Sequence, residues 1–277
     1  MHYLKRIYKR YDNEGIEALV YYYLKKFGIK VKYNSFLDKK KKIISKKIFE
    51  ICKGKVTFGL YKGTKLFEDE NNIESDYSSK LLGVYEEQIQ IHIIRLQKKY
   101  NLKYIINFGS AEGFHIISLI KKKIFLKGLA FEIDSYKKLE LKKNILLNNL
   151  IKKIKILGKA NFDDVNKEFN KNVLKKTLYL VDIEGAEFLL FNKFNYNFFQ
   201  NSVLIIEDHN FAIKNKSLIK VFYKFLNKNF STKIVNNAER NPFKIKKIKE
   251  FNDDEKWLMM SENRPKNMQW IVCEPKN

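Results

Sequence analysis

The chain has 277 residues, 45% of them hydrophobic, so it can bury the core of a large domain and is not intrinsically disordered. Its 55 Lys and Arg against 31 Asp and Glu give a formal net charge of +24, while its 2 cysteines cannot build a disulfide framework or a structural zinc site. The charge would suit a polyanion, but the lysines are spread along a sequence that is also rich in Asn, Ile, Phe and Tyr, so we favour compositional drift.

The sequence pattern predicts that the first part of the chain is an extension ahead of the main domain. We expect no signal peptide, and lysines interrupt every apolar run before the roughly 20 residues that a membrane span needs, so we expect a cytoplasmic protein. Residues 14–27 are helical in pattern, and residues 55–66 carry short β-prone pieces. Basic segments at 21–27 and 38–47 would allow peripheral contact with an anionic membrane, although a solvated face is the plainer interpretation. We place this basic, mainly helical extension at residues 1–80.

Beyond the extension, short apolar runs alternate with amphipathic helices, which predicts one domain over residues 81–277. The predicted strands are 104–108, 128–133, 153–157, 178–183, 203–206, 232–235 and 268–272. The predicted helices are 85–100, 114–122, 136–148 and 218–230. Strands that alternate with helices form a parallel sheet with helices on both faces. The sequence therefore predicts an α/β, Rossmann-like fold.

Ligands of open α/β sheets bind beyond the carboxyl ends of the strands, and the first strand ends in a glycine turn. Gly109 and Gly113 allow a tight turn that opens a helix, whose N-terminal N–H groups suit an anionic group. Glu132 ends the next strand 19 residues beyond Gly113, close to the interval of about 20 at which a ribose-binding acid follows such a turn. The alternative is a helix-capping acid, a role that Asp134 or Ser135 could fill equally well. We favour a nucleoside site.

Acids and a histidine follow two later strands. They are Asp182, Glu184, Glu187, Glu207, Asp208 and His209. Charge at the end of an apolar strand is costly unless it is used, which predicts a functional site. We interpret Glu187 as a helix N-terminal acid favoured by the macrodipole, but not Asp182, Glu207 or His209. For His115, after the glycine turn, the alternatives are an indirect contact with a ligand and a solvent-facing helix position, and we favour the solvent-facing position.

These motifs resemble those of class I S-adenosylmethionine-dependent methyltransferases, and in particular the FkbM-like family, which methylates hydroxyl groups, often of sugars. Asn107–Gly113 is similar to the cofactor loop D/E-x-G-x-G-x-G, and Phe131–Asp134 to the F-E-P-x segment whose Glu binds ribose. Asp182–Glu187 closely matches the D-x-E-G-x-E segment of that family. The resemblance covers roughly residues 82–275.

The resemblance implies S-adenosyl-L-methionine as the cofactor. The residues implied to hold it are Asn107, Gly109, Ser110, Ala111, Glu112, Gly113, Glu132, Asn161 and Asp182. Two of them depart from the family pattern, because Asn107 replaces the usual acid and Ala111 replaces the middle glycine. The resemblance also implies a seventh strand antiparallel to the sixth, with a long loop over the site between the last two predicted strands.

The implied activity is methylation of a hydroxyl group on a sugar, a glycan or another small acceptor. A hydroxyl acceptor needs a base, and His209 is the candidate because imidazole titrates near neutral pH, with Asp182 or Glu207 orienting it or acting directly. The same residues with Asp208 could instead gather Mg²⁺ or Mn²⁺. We favour the base and expect no metal. No Asn/Asp-Pro-Pro-aromatic segment, which in related enzymes holds an amino group of a base, occurs in the sequence.

Three other classes of protein stay open. An NAD(P)-binding oxidoreductase would share the glycine turn and Glu132. A basic RNA-binding or RNA-modifying protein would fit the net charge, although we do not expect a nucleic-acid partner. A non-catalytic descendant would fit the departures at Asn107 and Ala111.

Overall fold

The computed structural model describes residues 36–67, 76–237, 239–262, 264 and 266–276, together with Val20. The predicted helix at 14–27 and the basic segment at 21–27 lie outside these ranges, apart from Val20. Within residues 36–67 and 76–103, three helices precede the sheet: α1 (Phe36–Cys52), α2 (Tyr77–Leu82) and α3 (Glu87–Lys99). Between α1 and α2 the β-prone segment forms turns and an isolated antiparallel bridge from Lys55 to Lys65.

The seven predicted strands and the other three predicted helices then follow in their predicted order, together with four short helices that the sequence pattern did not predict. They are β1 (Tyr104–Phe108), α4 (Phe114–Lys121), β2 (Lys127–Phe131), α5 (Ser135–Leu147), β3 (Ile154–Leu157), α6 (Phe162–Glu168), α7 (Lys171–Leu174), β4 (Thr177–Val181), α8 (Glu187–Leu190), β5 (Val203–Glu207), α9 (Lys216–Asn229), β6 (Phe230–Asn236), α10 (Asp253–Met259) and β7 (Gln269–Pro275). The predicted strands at 128–133 and 178–183 were each two residues too long at the carboxyl end, because the chain there turns into the loops that carry the site.

The sheet has seven strands in the order β3-β2-β1-β4-β5-β7-β6. Strands β1 to β5 pair in parallel, and β7 runs antiparallel to both β5 and β6. The predicted Rossmann-like fold of class I methyltransferases, with its antiparallel seventh strand, is confirmed. Phe108 pairs with Phe131 on one side and with Val181 on the other, so β1, β2 and β4 end level with one another. The loops that follow these three strands therefore meet at one edge of the sheet.

Side chains alternate between two hydrophobic clusters, one on each face of the sheet, as the period of two in a strand requires. On β4, Leu178 and Leu180 belong to one cluster and Tyr179 to the other. The first cluster also contains Ile48 of α1 and Tyr61 of the following turns, so the described part of the extension shares its core with the sheet. The domain boundary at residue 80 stays a prediction.

Among the described residues, no helix is both long enough and apolar enough to cross a bilayer.

Candidate functional site

The turn after β1 depends on backbone conformations that favour glycine. Gly109 and Gly113 have φ values of +75° and +88°. A Cβ atom on Gly109 would lie 1.6 Å from the carbonyl oxygen of Asp182, so only glycine lets the loops after β1 and β4 touch. Ala111 also has a positive φ, +44°, and thereby keeps the left-handed conformation at the position where the resemblance expects glycine.

Glu132 ties this turn to the end of β2. Its Oε2 accepts a hydrogen bond from the backbone N–H of Ala111 at 2.8 Å, and its Oε1 accepts one from the N–H of Asp134 at 2.8 Å. The N-cap of α5 is Asp134, which accepts from the N–H of Lys137. Asp134 therefore fills the capping role. Each carboxylate oxygen of Glu132 accepts one backbone hydrogen bond and so has a further lone pair for a ligand.

A cavity of about 570 Å³ opens beyond the carboxyl ends of β1 to β4, and we call it the large cavity. Its lining includes Gly109, Ala111, Glu132, Ile133, Ala160 and Asp182. Mostly apolar walls with a few convergent polar groups are typical of a small-molecule site of this size. Asn161 lies beside the lining residue Ala160, but its Oδ1 accepts from the N–H of Asp164 at 2.8 Å and caps α6.

A second cavity of about 50 Å³, the small cavity, lies behind the glycine turn. Six of the residues implied to bind cofactor line it, and three of these, Asn107, Ser110 and Glu112, do not line the large cavity. All three are buried, and Glu112 forms an ion pair with Lys80 at 2.7 Å. The small and large cavities share Gly109, Ala111 and Asp182, so they meet at the turn.

His209 lies at the centre of a group of carboxylates after β4 and β5. Its side chain is 3% exposed, and its Nδ1 lies 3.1 Å from Oε1 of Glu187. Its Nε2 lies 3.6 Å from Asp182 and 3.5 Å from Glu207. The exposed Glu184 approaches the same nitrogen at 3.4 Å. The structure thus brings the three predicted catalytic residues together around one imidazole nitrogen.

Glu187 has a larger role than the one we expected of a helix N-terminal acid. It stands at the first position of α8, but its side chain is buried. It accepts from the backbone N–H of Gly185 at 2.9 Å and from the backbone N–H of His209 at 3.3 Å. The predicted position of Glu187 at a helix N-terminus is confirmed. The hydrogen bonds of its carboxylate to Gly185 and His209 add a role that the sequence pattern did not indicate.

The pKa values of His209, Asp182 and Glu207 are all raised, which favours the protonated form of each side chain. Burial alone would lower the pKa of His209, but the hydrogen bond to Glu187 and the charge of Glu207 outweigh burial and raise that pKa. Burial and the charge of Glu207 raise the pKa of Asp182 well above its ordinary value. The pKa of Glu207 is raised by burial and by the charge of Glu86, against the opposing charge of Arg264.

Arg264, which sequence reasoning did not single out, contacts three carboxylates. It forms ion pairs with Glu86 and Glu207, and its Nε donates to Glu262 at 2.8 Å. Glu86 lies just before α3 and is 178 residues away from Arg264 in sequence, so no local pattern could have paired them.

His115 is turned inward, which overturns the expectation of a solvent-facing position. Its Nε2 lies 2.7 Å from Oε2 of Glu86, and its Nδ1 lies 2.9 Å from the Tyr61 hydroxyl. The side chain is 12% exposed. The contact with Tyr61 links the N-terminal extension to the site.

In the part of the chain that the structure describes, one set of residues could hold a metal ion. Asp182, Glu207 and His209 each offer one ligand atom, and these atoms lie within 4.8 Å of one another. Two carboxylates and an imidazole suit a divalent cation such as Mg²⁺ or Mn²⁺. Asp208 is engaged elsewhere, because it accepts hydrogen bonds from Tyr223 and Gln269. The preference for a base over a metal stays a prediction.

No protein-family profile and no curated protein matches the sequence. Solved structures do match the fold. An O-methyltransferase from Bacillus cereus, solved in complex with S-adenosylhomocysteine, has a TM-score of 0.46 at 11% identity, covering 68% of this chain and 81% of that one. An O-methyltransferase candidate from Klebsiella pneumoniae has a TM-score of 0.45 at 8% identity, covering 94% and 97%. A precorrin-6y C5,15-methyltransferase from Geobacter metallireducens has a TM-score of 0.42 at 11% identity, covering 69% of this chain and 89% of that one.

Proposed function

We propose that this protein is an S-adenosylmethionine-dependent methyltransferase that methylates a hydroxyl group of a sugar, a glycan or another small acceptor. One observation carries the proposal. The glycine turn and Glu132 are hydrogen bonded to each other at one wall of the large cavity, and Asp182 at another wall lies 3.6 Å from the buried His209. A nucleoside-binding end and a proton-accepting end therefore belong to one site.

The residues of the large cavity fit this cofactor. Glu132 offers carboxylate oxygens to the ribose hydroxyls, and Ile133 and Ala160 offer apolar contacts to a base. Burial and the charge of Glu207 raise the pKa of Asp182, and a positive group placed beside this pair of acids would be favoured. When bound, S-adenosylmethionine would supply a methyl group on a positively charged sulfur.

The strand order favours this class over a nicotinamide-dependent oxidoreductase. Dinucleotide-binding sheets have the order 3-2-1-4-5-6, in which the sixth strand lies next to the fifth. Here the antiparallel β7 lies between β5 and β6. The glycine turn and Glu132, which the two classes share, therefore belong to a sheet whose order differs from that of dinucleotide-binding sheets.

The chain's own residues would position the acceptor and take its proton. The hydrogen bond between Nδ1 of His209 and Glu187 leaves Nε2 as the nitrogen that accepts the hydroxyl proton. Asp182 and Glu207 flank that nitrogen and would stabilise the imidazolium that forms.

A polar cavity beside this group supports a hydroxylated acceptor. It measures about 440 Å³ and is formed by residues of the loop between β6 and β7. Its lining includes Asn237, Glu239, Arg240, Glu262, Lys266 and Asn267. Amide, carboxylate and cationic side chains supply the donors and acceptors that a molecule with several hydroxyl groups needs. Arg264 lines the same cavity and contacts Glu207, and Glu207 lies 3.5 Å from Nε2 of His209, so these two side chains connect the cavity to the proposed base.

Thermal denaturation with S-adenosylhomocysteine tests the cofactor. At a ligand concentration of about 100 dissociation constants the folded state gains roughly 2.7 kcal/mol. For a chain of this size we expect a rise in Tm of roughly 5–10 °C. NAD⁺ at the same concentration should produce no rise. A rise with NAD⁺ alone would assign the site to an oxidoreductase, and no rise with either ligand would contradict the proposal.

A further inference from the structure

The small cavity has a polar, charged lining that the nucleoside end of a ligand does not need. Its volume of about 50 Å³ would hold roughly three or four water-sized groups. Its walls carry the side chains of Lys80, Glu86 and Asn107. Because it joins the large cavity at Gly109 and Ala111, a molecule seated in the large cavity could extend a short polar group into it.

Glu86 is the carboxylate of this wall that the cofactor motifs leave unassigned. Its side chain is 3% exposed, and its backbone adopts a left-handed conformation with φ of +49°, which is uncommon for a residue other than glycine. Burial would raise the pKa of Glu86, but the hydrogen bond from His115 and the charge of Arg264 outweigh burial and lower that pKa. Glu86 is therefore an ionised carboxylate at neutral pH.

Carboxylates outnumber cations around this cavity. Arg264 is shared among Glu86, Glu207 and Glu262, and Arg240 lies 2.5 Å from Glu262. The imidazoles of His115 and His209 approach Glu86 and Glu207 at 2.7 Å and 3.5 Å. Lys80 is shared between two other acids, Asp76 at 3.1 Å and Glu112 at 2.7 Å. Asn107 adds no charge. A ligand that brings a positive group into the small cavity would offset this excess of negative charge.

We propose that Glu86 binds the ammonium group at the amino-acid end of S-adenosylmethionine, in the small cavity beside Asn107. The inference rests on the proposed function and adds a cofactor-binding residue from outside the glycine turn. His115 hydrogen bonds to the carboxylate of Glu86, and Tyr61 of the N-terminal extension contacts the other ring nitrogen of His115, so the extension would help to build the cofactor site. A charge-assisted hydrogen bond of this kind is among the stronger contacts that a protein makes to a ligand.

Two ligands separate this contact from the rest of the site. S-adenosylhomocysteine carries the ammonium group, whereas 5′-methylthioadenosine has the same nucleoside and sulfur without the amino-acid end. Isothermal titration calorimetry would measure both ligands with the wild-type protein and with Glu86→Gln. We expect Glu86→Gln to weaken S-adenosylhomocysteine on the order of 10- to 100-fold and to leave 5′-methylthioadenosine within about twofold.

Two control variants sharpen the comparison. Glu87→Gln removes the same charge from the neighbouring residue, which does not line the small cavity, and should change neither affinity. Glu132→Gln should weaken both ligands by the same factor, because Glu132 lies at the nucleoside end. Equal S-adenosylhomocysteine affinity in the wild type and in Glu86→Gln would overturn the inference, as would equal losses for both ligands.

A measurement on the wild-type protein covers the case in which Glu86→Gln does not fold. An analogue of S-adenosylhomocysteine that lacks only the amino group should bind at least about tenfold more weakly than the parent. An analogue that lacks only the carboxylate should lose less. If the deaminated analogue binds as tightly as the parent, Glu86 has no such role. If S-adenosylhomocysteine and 5′-methylthioadenosine both fail to bind, the proposed function itself fails.

Discussion

The pair Glu187 and His209 determines which imidazole nitrogen can do chemistry. Glu187 accepts from two groups of His209, the backbone N–H and Nδ1. Because an ionised carboxylate only accepts hydrogen bonds, Nδ1 carries the proton and the lone pair of neutral imidazole lies on Nε2. That nitrogen lies among Asp182, Glu184 and Glu207, which favour its protonated form.

Replacing the imidazole tests this assignment. We expect His209→Gln to lower kcat about 10²- to 10⁴-fold with an acceptor that the wild type methylates, because a general base contributes that much. Binding of S-adenosylhomocysteine should persist, since Glu132 and the glycine turn are untouched. Turnover by His209→Gln at the wild-type rate would show that another group takes the proton.

The pH dependence follows from the raised pKa of His209. The imidazolium cannot accept a proton, so turnover should rise with pH through a midpoint above about 6.5, the ordinary histidine value. Stability should change in the opposite direction. The ion pairs of the imidazolium stabilise the fold fully below about pH 6.5 and are lost as the pH rises through the folded-state pKa. Urea denaturation of wild type and His209→Gln across this pH range should show their difference in unfolding free energy shrinking as the pH rises.

Sequence reasoning found the residues of the site whose signal is local and missed those whose partners are distant. Gly109, Glu132 and His209 each end a strand, and strand ends can be read from an apolar run. Glu86 and Arg264 lie in different parts of the chain and meet only after folding. An acid placed just ahead of an amphipathic helix is the single local feature of Glu86, and it is too common to mark a site.

The contact between the β1 and β4 loops makes Gly109 the most constrained position of the glycine turn. Gly109→Ala would place a Cβ atom 1.6 Å from a backbone oxygen that cannot rotate away, at a φ of +75°. We expect a loss of about 2–4 kcal/mol in unfolding free energy and of the stabilisation by S-adenosylhomocysteine. Denaturant titration with and without the ligand measures both.

Gly158→Ala is the matched control for that substitution. Gly158 also lines the large cavity, but a Cβ atom there would meet no atom within 4 Å. We expect this variant to stay within about 0.5 kcal/mol of the wild type. Equal effects of the two substitutions would show that the contact between the two loops does not constrain the turn.

The positions of strands and helices were predicted well because their signals are short-ranged. The strand at 104–108 has the predicted bounds, as its five residues form one apolar run between polar neighbours. The strands β6 and β7 are longer than predicted, because seven register pairs between them extend β structure into residues with no strong β signal, such as Glu274. Pairing over that sequence distance leaves no local pattern.

The N-terminal extension and the sheet share a hydrophobic core, so we expect them to unfold together. Ile48 of α1 is 0% exposed and belongs to the same cluster as Ile105 of β1. We expect Ile48→Ala to cost about 2–5 kcal/mol and to lower a single, shared thermal transition. Calorimetry measures the number of transitions. Ile43→Ala, on the same helix but at a side chain that is 59% exposed, should have little effect. A separate early transition in Ile48→Ala would instead show that the extension unfolds alone.

The position of β7 has a consequence for the order in which the sheet assembles. Strand β6 bonds only to β7 within the sheet, although β7 follows it in the chain by a connection of more than thirty residues. After β6 has been synthesised it has no partner, and the edge of β5 stays open, until the ribosome has released β7. The pairings of β7 with β5 and with β6 stabilise the sheet only after that long connection has closed. Formation of this edge of the sheet is therefore expected to be slow. During this interval the nascent chain exposes two unpaired β-edges, and a chaperone that shields them would act on this species.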